Sequence, residues 1–258
     1  MITQSAFAGY QAQAAQRKYS SLQYAEYADC RAADAVYADG ETLVLCDFTQ
    51  TPAMINFAAN DFHRVIDRLR KINGPLRMNF TPHDFKQELM RSGFEVWAEF
   101  ADYVHVSLQD APVKRCVPED LDYMKQSESE QVSQLSKRCA GQSRGFYGEE
   151  TAFLTQWMED GNHVILVRDQ EQIAGFCCVS IYEDGTTLWI REVAVDPAFQ
   201  GRGYGKRLVE QAIGYGIAKG AVKGFLAVDI TNQRAISIYR KYGFSHREEA
   251  CELQMVRH

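Results

Sequence analysis

Three glycines fall within five positions, at Gly201, Gly203 and Gly205. They follow an apolar, β-branched run from Leu188 to Val195, which Asp196-Pro197 must end because proline withholds the amide a strand needs. They precede Lys206-Arg207-Leu208-Val209, the start of an amphipathic helix. Such a turn is an anion site: glycine permits unusual dihedrals and close approach, and the first helical amides and the helix dipole face the ligand. Arg202, Lys206 and Arg207 add positive charge, so Gln200-Gly201-Arg202-Gly203-Tyr204-Gly205 reads as a cradle for a pyrophosphate. It is neither of two other phosphate loops. A Walker loop needs Ser or Thr where Arg207 stands, and the dinucleotide fingerprint needs glycine where Lys206 stands. Further on, Asn232, Ala235 and Tyr239 share one stripe of a second amphipathic helix.

Other chemistries find less support. The adjacent Cys177 and Cys178 invite a covalent intermediate, but neighbours on a strand face opposite ways and read better as small buried residues. The six histidines form no close pair with metal-ligand spacing, so no metal is implied. Seven scattered cysteines without framework spacing read as reduced thiols of a cytoplasmic protein. No apolar run is long enough to span a bilayer, and the N-terminus lacks the pattern of a signal peptide. A net charge of −6 argues against nonspecific nucleic-acid binding and favours cationic small substrates.

The elements that must hold these residues are read from pattern. Helices are expected near 119–140 and 149–160, and strands at 163–169, 172–182 and 186–195. A helix at 203–219, a strand at 224–229, a helix at 232–242 and a strand at 246–256 complete a mixed α/β (α+β) sheet flanked by helices. The first half echoes the second. Val36–Leu45 resembles Ile181–Ile190 as an Asp-Gly hairpin, and Leu76–Phe94 follows Leu226–Phe244 without a gap. This predicts two related domains in tandem, 1–110 and 111–258, with a seam within the proline-bearing stretch 109–120. The first copy lacks the glycine loop and has Pro82 and Leu89 where Asn232 and Tyr239 stand, so it is expected to be degenerate and to bind no such pyrophosphate ligand.

Val193-Ala-Val195-Asp-Pro197 leading into Gln200-Gly-Arg-Gly203-Tyr-Gly205, followed by Asn232-x-x-Ala235-x-x-x-Tyr239-x-x-x-Gly243-Phe244, resembles the GNAT superfamily of acyl-CoA-dependent N-acyltransferases. The resemblance covers about 112–258 and implies that family's mixed, mostly antiparallel twisted sheet. It also implies acetyl-CoA as co-substrate, gripped by Gln200 to Lys206, and a pantetheine arm bound along the amides of Val193 and Val195. One such amide is placed to stabilise an oxyanion. By the same resemblance Asn232 contacts the cofactor or caps its helix, and Tyr239 protonates the leaving thiolate; Tyr242 is read as packing. For the general base, Glu192 comes first, with Glu183 and Asp229 behind it. The implied function is acetyl transfer by direct attack of a primary amine, most readily that of a small molecule. A CoA-binding sensor without chemistry stays open as the alternative, distinguished by whether an amine screen releases thiol. The first domain is left two roles, walling the acceptor pocket or forming a homodimer.

Overall fold

The computed structural model describes residues 1–258 apart from Arg115, Gly145 and Glu183 and the side chains of Ala28 and residues 248–251. By its contacts the chain divides into two compact units, Met1–Glu99 with Cys251–His258, and Phe100–Ala250. The seam expected at 110/111 lies inside the second unit. None of the described helices is long and apolar enough to cross a membrane.

The first unit holds α1 (Gln4–Ala14), β1 (Tyr19–Ser20), α2 (Tyr27–Cys30), β2 (Asp34–Ala38), β3 (Thr42–Asp47), β4 (Ala53–Ala59), α3 (Phe62–Leu69), β5 (Leu76–Met78), α4 (Lys86–Arg91) and the start of β6 (Glu95–His105). Strands β2, β3 and β4 pair antiparallel, and β4 pairs β5 in parallel through the α3 crossover. β3 is buried along its whole length and apolar from Leu43 to Cys46 because both its faces are covered. Val44 and Cys46 meet the α3 side, whereas Leu43 and Leu45 meet α1. On α3, Phe62, Val65, Ile66 and Leu69 fall at i, i+3, i+4 and i+7, and all four are buried.

The second unit takes the rest of β6, then α5 (Ser129–Arg138), α6 (Thr151–Glu159), β7 (His163–Asp169), β8 (Gln172–Tyr182), β9 (Thr187–Val195), α7 (Tyr204–Ala218), β10 (Lys223–Asp229), α8 (Gln233–Lys241) and the start of β11 (Ser245–Arg257). Strands β7, β8 and β9 are antiparallel, β9 pairs β10 in parallel through α7, and β10 pairs β6 antiparallel. The expected mixed, largely antiparallel sheet with flanking helices is present.

Two expectations need correction. The helix expected at 119–140 is broken: Pro118–Asp120 make one turn, and α5 begins only at Ser129. From Leu121 to Lys125 the backbone is extended, Met124 N–H donating to Val164 O at 2.8 Å and Leu166 N–H to Asp122 O at 2.7 Å, and a single 3-10 turn at Gln126–Glu128 leads into α5. Leu121 joins the core on the α7 side of the sheet and Met124 the core on the α5–α6 side. An extended segment sends residues three apart to opposite faces; a helix would put them on one. The second correction concerns the internal echo. Val36–Leu45 is the β2–β3 hairpin, whose counterpart in order of elements is β7–β8, whereas Ile181–Ile190 belongs to β8–β9. That likeness reflects two Asp-Gly turns between β-rich strands. The ungapped match of 76–94 with 226–244 does join equivalent elements, β5 and α4 with β10 and α8.

Helix α7 is seated closely on β9. A Cβ at Gly216 would lie 2.9 Å from Leu188 Cδ2 and 3.1 Å from Leu108 Cδ2. Gly216→Val is therefore expected to lower the unfolding free energy by about 1–3 kcal/mol. Urea unfolding checks this, and an unchanged midpoint would mean that α7 does not sit against Leu188.

Candidate active site

Strand β9 ends where Asp196 Oδ1 accepts the Ala198 N–H at 2.9 Å, while Arg138 holds Oδ2 at 2.7 Å. The chain then turns through Gly201 and Gly203 at φ of 81° and 88°, dihedrals that side-chain-bearing residues rarely adopt. Gly203 is the N-cap of α7, and the first helical hydrogen bond runs from Arg207 N–H to Gly203 O. The amides of Tyr204, Gly205 and Lys206 thus have no intrahelical acceptor and stand at the positive end of a 15-residue helix.

The strand before this loop is open on one edge. β10 pairs with β9 only opposite Thr187 to Trp189, although β9 continues to Val195. Asp196 N–H donates to Ala174 O on the β8 side, so alternation turns the polar backbone of Val193 and Val195 to the opposite edge. There Val195 O accepts from Gln200 Nε2 at 3.0 Å. A bulge just before it sets this phase. Cys178 faces Glu192 and Val179 faces Ile190, leaving Arg191 without a partner residue. Leu188 and Ile190 pack on the α7 side before the bulge, and Val193 and Val195 return to that side after it.

The open edge, the glycine turn and α8 enclose a cleft of about 480 Å³. Val193, Val195, Gln200, Gly201, Gly203, Tyr204, Gly205, Lys206, Asn232 and Tyr239 line it, all residues singled out from sequence. Two are not among the lining residues: the Arg202 guanidinium pairs with Asp169 at 2.8 Å and lies over the Phe199 ring, and Glu192 precedes the lining residue Val193 without itself lining the cleft. Asn232 caps α8, its Oδ1 accepting the Ala235 N–H at 3.1 Å. Gln142 and Arg234 also line the cleft and were not foreseen. Gln142 reaches it from the α5–α6 connection, where its Oε1 accepts from Gln200 at 2.6 Å. Arg234 stands two residues after Asn232, and that position beside the cap was its only signal.

Glu192 sits in the bulge. Burial pushes its pKa up to about 7, the Glu149 carboxylate adds to the rise, and Arg191 and the Val193 N–H oppose it. The Val193 N–H donates to Glu192 Oε1 at 3.1 Å. Tyr239 is buried, and burial, then the charges of Glu192 and Cys177, raise its phenol above the usual value. Asp229 has the opposite environment. Burial resists its ionisation, but hydrogen bonds from the Arg144 guanidinium and backbone and from Thr231 hold it at about 2. A carboxylate so fully engaged is a poor base, which removes Asp229 from the alternatives. Glu183 lies outside the described residues. Tyr242 is packed, its hydroxyl donating to Glu210. Cys177 and Cys178 enter cores on opposite faces, and burial raises both thiols. Among the described residues no group of three or more His, Cys, Asp or Glu could hold a metal ion.

Residues 129–244 match the model of the acetyltransferase (GNAT) family. The N-alpha-acetyltransferase RimI of Mycobacterium tuberculosis is 30% identical over 118 residues, 42% of this chain and 72% of that protein. The [ribosomal protein bS18]-alanine N-acetyltransferase of Salmonella typhimurium is 36% identical over 29% of this chain and 49% of its own length. The mycothiol acetyltransferase of Corynebacterium glutamicum strain R is 28% identical over 67% of this chain and 58% of its own. The matches thus span about half the length of the last two relatives. A GCN5-related N-acetyltransferase structure from Sphaerobacter thermophilus superposes with a TM-score of 0.57 at 13% identity, over 87% of this chain and 82% of that one. Another from Kribbella flavida gives 0.51 at 16%, over 88% and 90%. At those identities the likeness concerns the fold alone.

The raised Glu192 carboxyl has a consequence for stability. A carboxyl whose folded pKa exceeds its unfolded value stabilises the fold below the unfolded value and loses that contribution as pH rises through the folded one. Unfolding free energy is therefore expected to fall between about pH 4.5 and 7, by an increment absent from Glu192→Gln. Denaturant unfolding of both proteins across this range is the check; parallel profiles would show that Glu192 titrates normally.

Proposed function

We propose a function from one premise: the chain belongs to the acetyltransferase (GNAT) family. Its second unit moves an acetyl group from acetyl-CoA directly to a primary amine. The observation that carries this reading is the cleft itself, in which outward-facing strand amides, an unpaired helix entry and Tyr239 line one continuous surface. When bound, acetyl-CoA supplies the activated acetyl thioester. The amides of Tyr204, Gly205 and Lys206 suit its pyrophosphate, with the Lys206 ammonium and the Arg234 guanidinium at the rim. The outward backbone groups of Val193 and Val195 receive the pantetheine arm as an added strand would be received, with the Val193 N–H at the thioester end.

Glu192 takes the proton of the attacking ammonium, directly or through a water. With a pKa of about 7 it is both substantially ionised at neutral pH and basic enough to accept that proton. The Val193 N–H, released from Glu192, donates to the charge developing on the carbonyl oxygen. As the carbon–sulfur bond breaks, Tyr239 passes its proton to the thiolate; its raised pKa keeps it protonated beforehand. The names of the relatives divide between a protein α-amine and mycothiol, and a small-molecule amine is our preferred acceptor. We also read the two units as diverged copies. The recurring order of elements supports this.

Tyr239→Phe is expected to lower kcat by about 100-fold with little change in CoA affinity. Gly203→Val, which resists the left-handed turn, is expected to weaken CoA association by about tenfold or more. Calorimetry and thiol release against a panel of amines read both. The acidic limb of kcat/KM should have its midpoint near 7 and be lost in Glu192→Gln. Turnover unaffected by Tyr239→Phe would remove that residue from the chemistry.

A further inference from the structure

Strands β4 and β9 hold the same place in the two units. Each pairs antiparallel with the strand before it, each pairs in parallel with the strand after its crossover helix, and each outruns that parallel partner. In β4 the parallel pairing ends at Ile55, opposite Met78, although the strand continues to Ala59. Strand β3 covers the other edge from Met54 to Ala59. The edge of β4 from Asn56 onward is thus the counterpart of the one that β9 presents to the cleft.

In β4 that edge is taken. β1 lies along it antiparallel, with Ser20 opposite Ala58 and Tyr19 opposite Ala59. The Ser21 N–H donates to Phe57 O at 3.0 Å, and the Phe57 N–H donates to Ser21 Oγ at 3.0 Å. Lys18 N–H adds a bond to Asn60 Oδ1 at 3.3 Å. The Tyr19 ring anchors the strand, meeting Phe62 and Phe85 edge-on at centroid distances of 5.9 and 5.5 Å. At the entry to α3, where the second unit has its glycine turn, the Asp61 carboxylate accepts the His63 N–H at 3.0 Å. A first-turn amide is consumed there, and a negative charge stands where a phosphate would have to come.

We propose that the first unit is an acyltransferase fold whose pantetheine edge is filled by the chain's own residues 18–21, so that the chain takes up one coenzyme and not two. The occupant uses the same interaction a pantetheine arm would, backbone pairing along an open strand edge, but it is covalently tethered and meets no diffusing competitor on equal terms. This rests on the reading of the second cleft as the coenzyme site, and the two can fail separately.

Hydrogen exchange on the full chain, with and without saturating CoA, together with calorimetric stoichiometry, tests it. The Phe57 amide should be protected in the free protein and unchanged by CoA, while the Val193 and Val195 amides slow when CoA is added. One equivalent should bind. Rapid exchange at Phe57 without CoA, slowing within 56–59 on its addition, or a second equivalent would each overturn the proposal. Unresponsive amides at Val193 and Val195 would instead overturn the second-unit reading. Ser21→Pro deletes both the donor to Phe57 O and the Oγ that accepts the Phe57 N–H, and should speed exchange at Phe57 by about tenfold or more, leaving CoA affinity unchanged. Unaltered exchange there counts against the occupant.

Discussion

A strand paired along one edge and open along the other carries backbone groups that must find a partner, and β9 is in that state from Ile190 to Val195. The bulge at Arg191 restores the inward phase of Val193 and Val195, and the early end of the β10 pairing leaves this edge without a neighbouring strand. Much of the second unit fixes this edge in place. Gly216 lets α7 press against Leu188, and Arg138 holds Asp196 where the strand turns into the loop. Paired continuously, as an ordinary sheet would be, β9 would offer no surface to a ligand.

Charge in this unit shows that burial alone does not decide ionisation. Glu192 and Asp229 are both carboxylates in confined sites. Asp229 is less than 2% exposed yet is held near 2, because Arg144 and Thr231 saturate its oxygens. Glu192 has a neighbouring Glu149 and a single backbone donor, and it rises to about 7. The Arg191 guanidinium opposes that rise without cancelling it; it is paired with Glu149 and lies 4.0 Å from the Phe153 ring centroid. The number of donors aimed at each carboxylate separates a structural ion pair from a group able to exchange a proton near neutrality.

The first unit repeats the order of strands and helices with a different use of the same edge. Its crossover helix α3 has eight residues where α7 has fifteen, and Asp61 caps it where Gly203 caps α7. Leu89, fully buried, stands at the place equivalent to Tyr239. At each of these places the first unit has a group that meets the protein itself, where the second has one at the cleft.

The sequence by itself determined the glycine turn, the strand that feeds it and the stripe carrying Asn232 and Tyr239. Turn chemistry and side-chain period act over a few residues, and those are present in any linear reading. Most helices and strands of the second unit were legible for the same reason. The exceptions arose where distant partners decided. Leu121 and Met124 are drawn into cores on opposite faces, which breaks a helix that local pattern favours. Arg202 is drawn to Asp169 and away from the cleft its neighbours line, and Gln142 enters that cleft from 58 residues before Gln200. Only the tertiary structure could assign Asp229 to Arg144 or lay residues 18–21 along β4. A side chain's preferences are local, but the partner that satisfies them is chosen by the fold.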